Sequence, residues 1–334
     1  MAGSTLAHGE DWRAHVKDLT WVDAGSRGGF HEMALLRPFA HMYSFDADRS
    51  IEPGHLNFAS FHHFPVALYS SAGEMDLHIT YQPGMTSLLE PDEKVFVRHF
   101  GLIPGSRTWR RGLTVLRRQN TKLRTIDVLL RDQGVERVDF LKLDTQGTEL
   151  EILKGAKTYL STGRISIIKT EISFVPIYRD QCTFSDLDDF LRRHGFILVD
   201  CVFYPDAVHP RDAGKAIEAN LREQSRFGVI GDAVYVLDSA RLESQSRVES
   251  SIRSALMLNQ MGYVSFAFAM LRDCGLDSAR AEHLLRATTM RLDPKTRLKK
   301  FLKDQLPPWA FRTILRLHGS FALARRSAKS VRGS

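Results

Sequence analysis

The chain is short of cysteine. Its 334 residues include three, Cys182, Cys201 and Cys274, scattered without CxxC or Cys/His spacing. That argues against a disulfide framework or a thiolate zinc site, and it fits a reducing, cytoplasmic setting. Also missing is any apolar run of the eighteen or so residues that a membrane-spanning helix needs. The opening stretch MAGSTLAHGEDWRAHVKDL has no apolar segment of the kind secretory signals carry, so no secretory leader is expected. Internal repeats and low-complexity tracts are absent. The body also lacks surplus positive charge. The net charge is +7, but residues 291–334 hold twelve Lys and Arg against two acids, which leaves −3 for the first 290 residues. The basicity belongs to the C-terminal segment, and the body carries no strong nucleic-acid signal.

What the chain does have is alternation. A hydrophobic content of 43% and a charged content of 25% are ordinary for a globular protein. Short apolar segments are expected as strands at LTWVDAG (19–25), HMYSFDAD (41–48), FPVAL (64–68), MDLHIT (75–80), VDFLKLD (138–144), ISIIKTEI (165–172), FILVDCVF (196–203) and GDAVYVLD (231–238). Helical patterns separate several of them. GFHEMALLRPF reads as a short helix ended near Pro38. TIDVLLRDQG reads as one capped by Thr125 and stopped by Gly134. GTELEILKGA is another, and SDLDDFLRRHG has Ser185 and Asp188 at capping-box spacing with Gly195 past its end. Strands alternating with helices predict a mostly parallel α/β sheet with helices on both faces, and the last two strands suit an edge hairpin. From about residue 240 the pattern is purely helical. The expected division is a lead-in over 1–17, a main domain over 18–240 and a helical region over 241–334.

Ligands in such a sheet sit beyond the carboxyl ends of the strands. Three strand ends stand out. In VDAGSRGGF, Gly25 permits a tight turn, and Gly28 and Gly29 let backbone amides approach a ligand at a helix N-terminus. The dinucleotide pattern G-x-G-x-x-G would need glycine where Arg27 stands, and Asp23 lies two residues before the first glycine. The second strand end carries Asp46, whose carboxylate can accept both hydroxyls of a ribose. The bland alternative for these two ends is a tight turn and a surface acid, and the spacing favours a nucleoside site. The third end is FLKLDTQGTELEILKGA (140–156). Lys142 and Asp144 share one face of a strand. Gln146 and Gly147 form the turn, and Glu149 falls in the first helical turn, where the helix dipole alone can explain it. Glu171 brings a further carboxylate to the same edge from the next strand. A lysine among several acids is the arrangement expected where a proton is removed or a cation held.

These segments, with ALYSSAGEMDLHIT and IKTEISFVPIYRDQCTFSDLDDFLRRHGF, resemble the FkbM family of methyltransferases over roughly residues 18 to 240. FLKLDTQGTELEILKGA is the most specific part. The resemblance implies a Rossmann-like class I fold, S-adenosylmethionine as methyl donor, and O-methylation of a hydroxyl on a sugar, glycan, polyketide or similar metabolite. By motif match it places Asp23, Gly25 and Gly29 at the methionine end of the donor and Asp46 at its ribose. The family often has Asn at the position of Arg27 and Glu at that of Asp46. Arg27 beside a sulfonium is expected to point away or to pair with an acid. Asp144, Glu149 and Glu171, with Lys142, are the candidates for activating the acceptor hydroxyl, with a divalent metal as an alternative aid.

Other readings are a nicotinamide oxidoreductase, disfavoured by the glycine spacing, a nucleic-acid methyltransferase, supported by the basic segment alone, and a catalytically silent scaffold, which Arg27 keeps open. His62 and His63, adjacent on a strand, are expected to face opposite ways rather than hold a metal. QLPPW (305–309) lacks the polar residue of the amino-methylating motif it superficially matches. Residues 297–326 form two basic amphipathic pieces split by Pro307 and Pro308. They are expected either to pack on the domain or a second subunit, or to touch an anionic membrane. The oligomeric state is left open.

Overall fold

The computed structural model describes residues 11–27, 29–49, 57–95, 110–203, 230–242 and 244–289. Gly28 and the segments 297–326 and 305–309 singled out above lie outside them. Ten strands are β1 (Leu19–Ala24), β2 (Ala40–Phe45), β3 (Ser60–Phe64), β4 (Ala67–Leu68), β5 (Gly73–Thr80), β6 (Val115–Arg124), β7 (Val138–Leu143), β8 (Ile165–Ser173), β9 (Phe196–Phe203) and β10 (Ile230–Leu237). The helices are α1 (Ile126–Asp132), α2 (Glu149–Lys154), α3 (Lys157–Ser161), α4 (Phe184–Arg193), α5 (Ser244–Gln260), α6 (Val264–Asp273) and α7 (Ser278–Thr288).

Seven strands form one sheet in the order β3-β2-β1-β7-β8-β10-β9. The β1–β2, β2–β3, β1–β7 and β7–β8 pairs are parallel, and β10 runs antiparallel to both neighbours. The chain order reverses between β1 and β7, so a crevice opens beyond their carboxyl ends. This is a Rossmann-like α/β sheet. The expected closing hairpin is present, but its second strand inserts between β8 and β9 and leaves β9 at the edge.

Successive residues of the central strands point to opposite faces and build two cores. Val22, Leu141, Ile168 and Tyr235 pack with α1, α2, α3 and α4 on one face. Trp21, Phe140, Ile167 and Val234 pack on the other with Trp12, Ile252, Leu256, Leu271 and Leu284. The strands are buried on both sides, which is why they read as near-continuous apolar runs. A buried ion pair pins α5 to the sheet. Arg253 bonds both Asp139 oxygens, at 2.9 and 2.7 Å, and donates to the Lys17 and Asp18 carbonyls, each at 3.1 Å.

Several sequence expectations are met locally. The Thr125 hydroxyl accepts from Val128 N, and Gly134 adopts φ +68° past the end of α1. Others change. Residues 29–36 form turns, followed by a 3-10 turn at Arg37–Phe39, not the expected helix. Gly29 (φ +78°) and Met33 (φ +48°) interrupt the helical path, while Phe30, Met33 and Leu36 are still buried. Glycines 28 and 29 were therefore expected at a helix N-terminus that does not form in the described residues. The capping box of α4 is Thr183 with Asp186. Asp188 instead pairs with Arg192 and accepts from the Tyr235 hydroxyl. A second sheet, β4-β6-β5, contains a strand that went unread, β6, because VLRRQNTKLR is mostly polar and exposes most of its length.

Candidate functional site

At the carboxyl end of β1 the chain turns through Gly25 at φ +81°. A Cβ there would lie 1.8 Å from the Asp144 carbonyl oxygen, so no other residue fits. The contact exists because Asp144 N donates to the Ala24 carbonyl at 3.0 Å, drawing the two strand ends together. Asp23, in register with Lys142, accepts from its Nζ at 3.3 Å, and Lys142 reaches Asp144 at the same distance. Burial raises the Asp23 carboxyl, and Lys142 partly offsets this. For Lys142, burial works against the ammonium, but Asp23 and Asp144 outweigh it and raise its value. The lysine is a fixed cation between two carboxylates.

Beside this pair lies a cleft lined by Gly25, Asp46, Thr145 and Gln146, with Phe45, Leu68, Leu77 and Leu88 as apolar wall. Asp23, Gly29 and Lys142 do not line it. Asp46 sits one residue past β2. Its Oδ1 accepts from Asp48 N at 2.9 Å, and no bond to Oδ2 is found among the described residues. Burial pushes its carboxyl up to about 6. Arg27 reaches the cleft wall, and its guanidinium pairs with the buried Asp48 at 2.6 Å. The expected acidic partner of Arg27 therefore exists, and sequence reading left Asp48 unremarked although it lies two residues from Asp46.

The β7–α2 turn is organised by Glu149. Its buried carboxylate accepts from Thr145 N at 2.8 Å, the Thr145 hydroxyl at 2.9 Å, and Gly147 N at 3.0 Å. Burial raises this carboxyl against those donors. Gln146, in the left-handed region at φ +59°, is held there, and its Nε2 donates to Asp144 Oδ1 at 3.1 Å and Glu171 Oε2 at 2.8 Å. Its carbonyl accepts from Ser87 at 2.8 Å, while Tyr178 donates to the Met85 carbonyl at 2.8 Å. Burial, with the negative charges of Asp144 and Glu149, holds Glu171 well above the usual carboxylate range. The structure thus brings Lys142, Asp144 and Glu171 to one place and sets Glu149 behind them in the turn. Gln146, Ser87 and Tyr178 were missed as site residues. Gln146 lay in the most specific segment; nothing local marked the other two.

A further charged group lies along the same edge, where Lys169 bonds Glu32 at 2.6 Å and Asp232 at 3.1 Å. His62 is exposed and stacks on Tyr43, while half-buried His63 bonds Ser44, so the two rings face apart. Among the described residues, no three His, Cys, Asp or Glu side chains are grouped as metal ligands, and no helix is long and apolar enough to cross a membrane.

No curated protein matches the chain. Residues 51–198 match the model of the methyltransferase FkbM domain. That span holds Lys142, Asp144, Gln146, Glu149 and Glu171, and begins after Asp46. The seven-stranded Rossmann-like sheet has a cleft at its switch point, and the segment that contributes Asp144, Thr145 and Gln146 to that cleft is similar to the methyltransferase FkbM domain.

Proposed function

We propose that the cleft binds S-adenosylmethionine and that the chain methylates a hydroxyl of a sugar, glycan or similar metabolite. The observation that carries this reading is the placement of Asp46 in the cleft within reach of the same strand edge that holds Asp144, Glu171 and Lys142. The lining fits the donor. Asp46 offers a carboxylate oxygen to ribose hydroxyls, and the apolar wall suits a base. When bound, S-adenosylmethionine supplies a methyl group on a positively charged sulfur.

The residues divide the remaining work. Asp144, with 42% of its side chain exposed, is the accessible carboxylate and takes the acceptor's proton. Lys142 and Gln146 hold one each of its oxygens, which fixes its direction. Glu171, raised well above an ordinary carboxylate, keeps its proton further up the pH scale and limits repulsion beside Asp144. Glu149 maintains the turn. Because methyl transfer is an in-line displacement, much of the rate comes from holding the hydroxyl about 3 Å from the methyl carbon. The paired Arg27 removes the main argument for a silent scaffold.

Calorimetric titration tests the donor. Wild-type chain should bind S-adenosylmethionine in preference to NAD, and Asp46→Ala should weaken binding by about 1.5–3 kcal/mol, roughly ten- to a hundredfold. Unchanged affinity in that variant overturns the ribose assignment. For the acceptor, methyl transfer from labelled donor to sugar and glycan panels should lose kcat, and not donor affinity, in Asp144→Asn. Assays with and without a chelator separate a metal requirement.

A further inference from the structure

The cleft occupies the carboxyl edge of the parallel strands. A second cavity lies at the opposite edge, where the chain enters β7, β8 and β9 and leaves β10. Its lining includes Arg137, Arg164, Arg241, His194, Ser166 and Ser250, and no acidic side chain lines it among the described residues.

Its charge is unbalanced. Arg137 bonds Asp139 at 2.9 Å, but Asp139 is already held at both oxygens by Arg253. Arg137 therefore shares its carboxylate with Arg253, which also pairs with Glu249 at 3.6 Å. Arg164 lies 5.9 Å from the Tyr159 ring centroid. Arg241 lays its side chain over Gly195, where a Cβ would come within 2.6 Å of its Nε. Neither arginine forms an ion pair among the described residues. An excess of guanidinium in a concave site favours an anion, because the surrounding protein focuses the field.

Two hydroxyls add neutral donors to the same wall. Ser166 and Ser250 are each 6% exposed and line the cavity. A hydroxyl hydrogen rotates, so both can donate to an anion that enters the cavity. The His194 ring donates from Nδ1 to the Phe190 carbonyl at 2.8 Å, which leaves Nε2 for a ligand.

Planar guanidinium forks and hydroxyl donors on several sides match the oxygens of phosphate better than a lone carboxylate. We infer that this cavity binds the phosphate group of a soluble phosphate monoester or diphosphate, at a site separate from the methyl-transfer cleft. Because its arginines come from three different turns, an occupant ties together the ends of β7, β8 and β10, and binding raises the melting temperature.

The probe is inorganic pyrophosphate, titrated into the full chain at constant ionic strength and followed by calorimetry and thermal melting. Wild-type chain should bind it and melt at higher temperature. The double variant Arg164→Gln/Arg241→Gln should bind at least about tenfold more weakly, while melting normally without ligand. Equal affinity in that variant, or wild-type heats no larger than those with sodium chloride, overturns the site. Should the double variant fail to fold, Ser166→Ala and Ser250→Ala decide: weaker binding in either supports it, and unchanged binding in both overturns it. Sedimentation with phosphatidic acid vesicles that requires Arg164 and Arg241, without pyrophosphate binding, overturns the soluble ligand in favour of a lipid headgroup. The test does not depend on the donor cleft, so its failure leaves the methyl-transfer reading untouched.

Discussion

In the proposed donor site, Asp46 would couple binding to pH. Burial lifts it to about 6, so in the ligand-free chain its folding contribution is full below its ordinary value and is lost as pH rises through about 6. A ribose hydroxyl pair needs the ionised form. Affinity for S-adenosylmethionine should therefore fall about tenfold per pH unit below 6 and level off above 7. Asp46→Asn should bind weakly and flatten that profile; a wild-type-like slope in the variant would contradict the assignment. Gln146 makes the complementary case for geometry. Replacing it with Leu removes the donor shared by Asp144 and Glu171 and leaves two carboxylates facing without it. The expected result is a lower kcat with the acid limb of the pH–rate profile moved upward, and donor affinity nearly unchanged. A profile at the wild-type position would make Gln146 a packing residue. Both residues were visible in the sequence as polar positions at strand ends. That Gln146 bridges two strands was not visible, because its partner Glu171 is 25 residues away and only the β7–β8 pairing brings them together.

Among the elements, most strands and helices were legible because two-sided burial wrote long apolar runs and glycines marked helix ends. The failures have specific causes. The 29–36 segment carries apolar residues at helical spacing, but positive φ at Gly29 and Met33 turns it into an irregular cover for Trp21, whose ring lies 5.2 Å from that of Phe30. Strand β6 is polar because one side of the small sheet faces solvent, so ladder bonding to β5 and β4 decides its form. That sheet forms part of the cleft wall. Leu68 of β4 and Leu77 of β5 line the cleft, and Ser87 and Tyr178 tie the loop that follows β5 to Gln146 in the β7–α2 turn. The helical region is anchored just as specifically. Arg253→Ala should strand Asp139 as a buried carboxylate and cost about 3–5 kcal/mol, read as a lower midpoint in denaturant unfolding. A change under about 1 kcal/mol would mean that Asp139 is compensated by Arg137 and Thr20 alone.

For the molecule as a whole, the sheet needs both apolar faces covered, and α5, α6 and α7 cover one of them. A chain ending at residue 289 keeps every buried residue that the described segments contribute to the two cores, and it should melt cooperatively with donor affinity intact. Aggregation or a non-cooperative melt would show that later residues are required. Of the two fates expected for the basic amphipathic pieces at 297–326, membrane contact predicts sedimentation with acidic vesicles that the shortened chain lacks, and packing predicts that the shortened chain is insoluble or melts early. Sequence alone determined the α/β class, the run of parallel strands, the family resemblance and the polar strand ends at Asp23, Asp46 and Asp144. Those depend on local periodicity and on residue types that few positions tolerate. Tertiary structure decided that Arg27 meets Asp48, that Glu149 serves the turn while Asp144 and Glu171 share Gln146, and that three arginines gather at the far edge. Each of these rests on contacts between segments distant in the chain or on the direction of one side chain, and neither is written in the local pattern of residues.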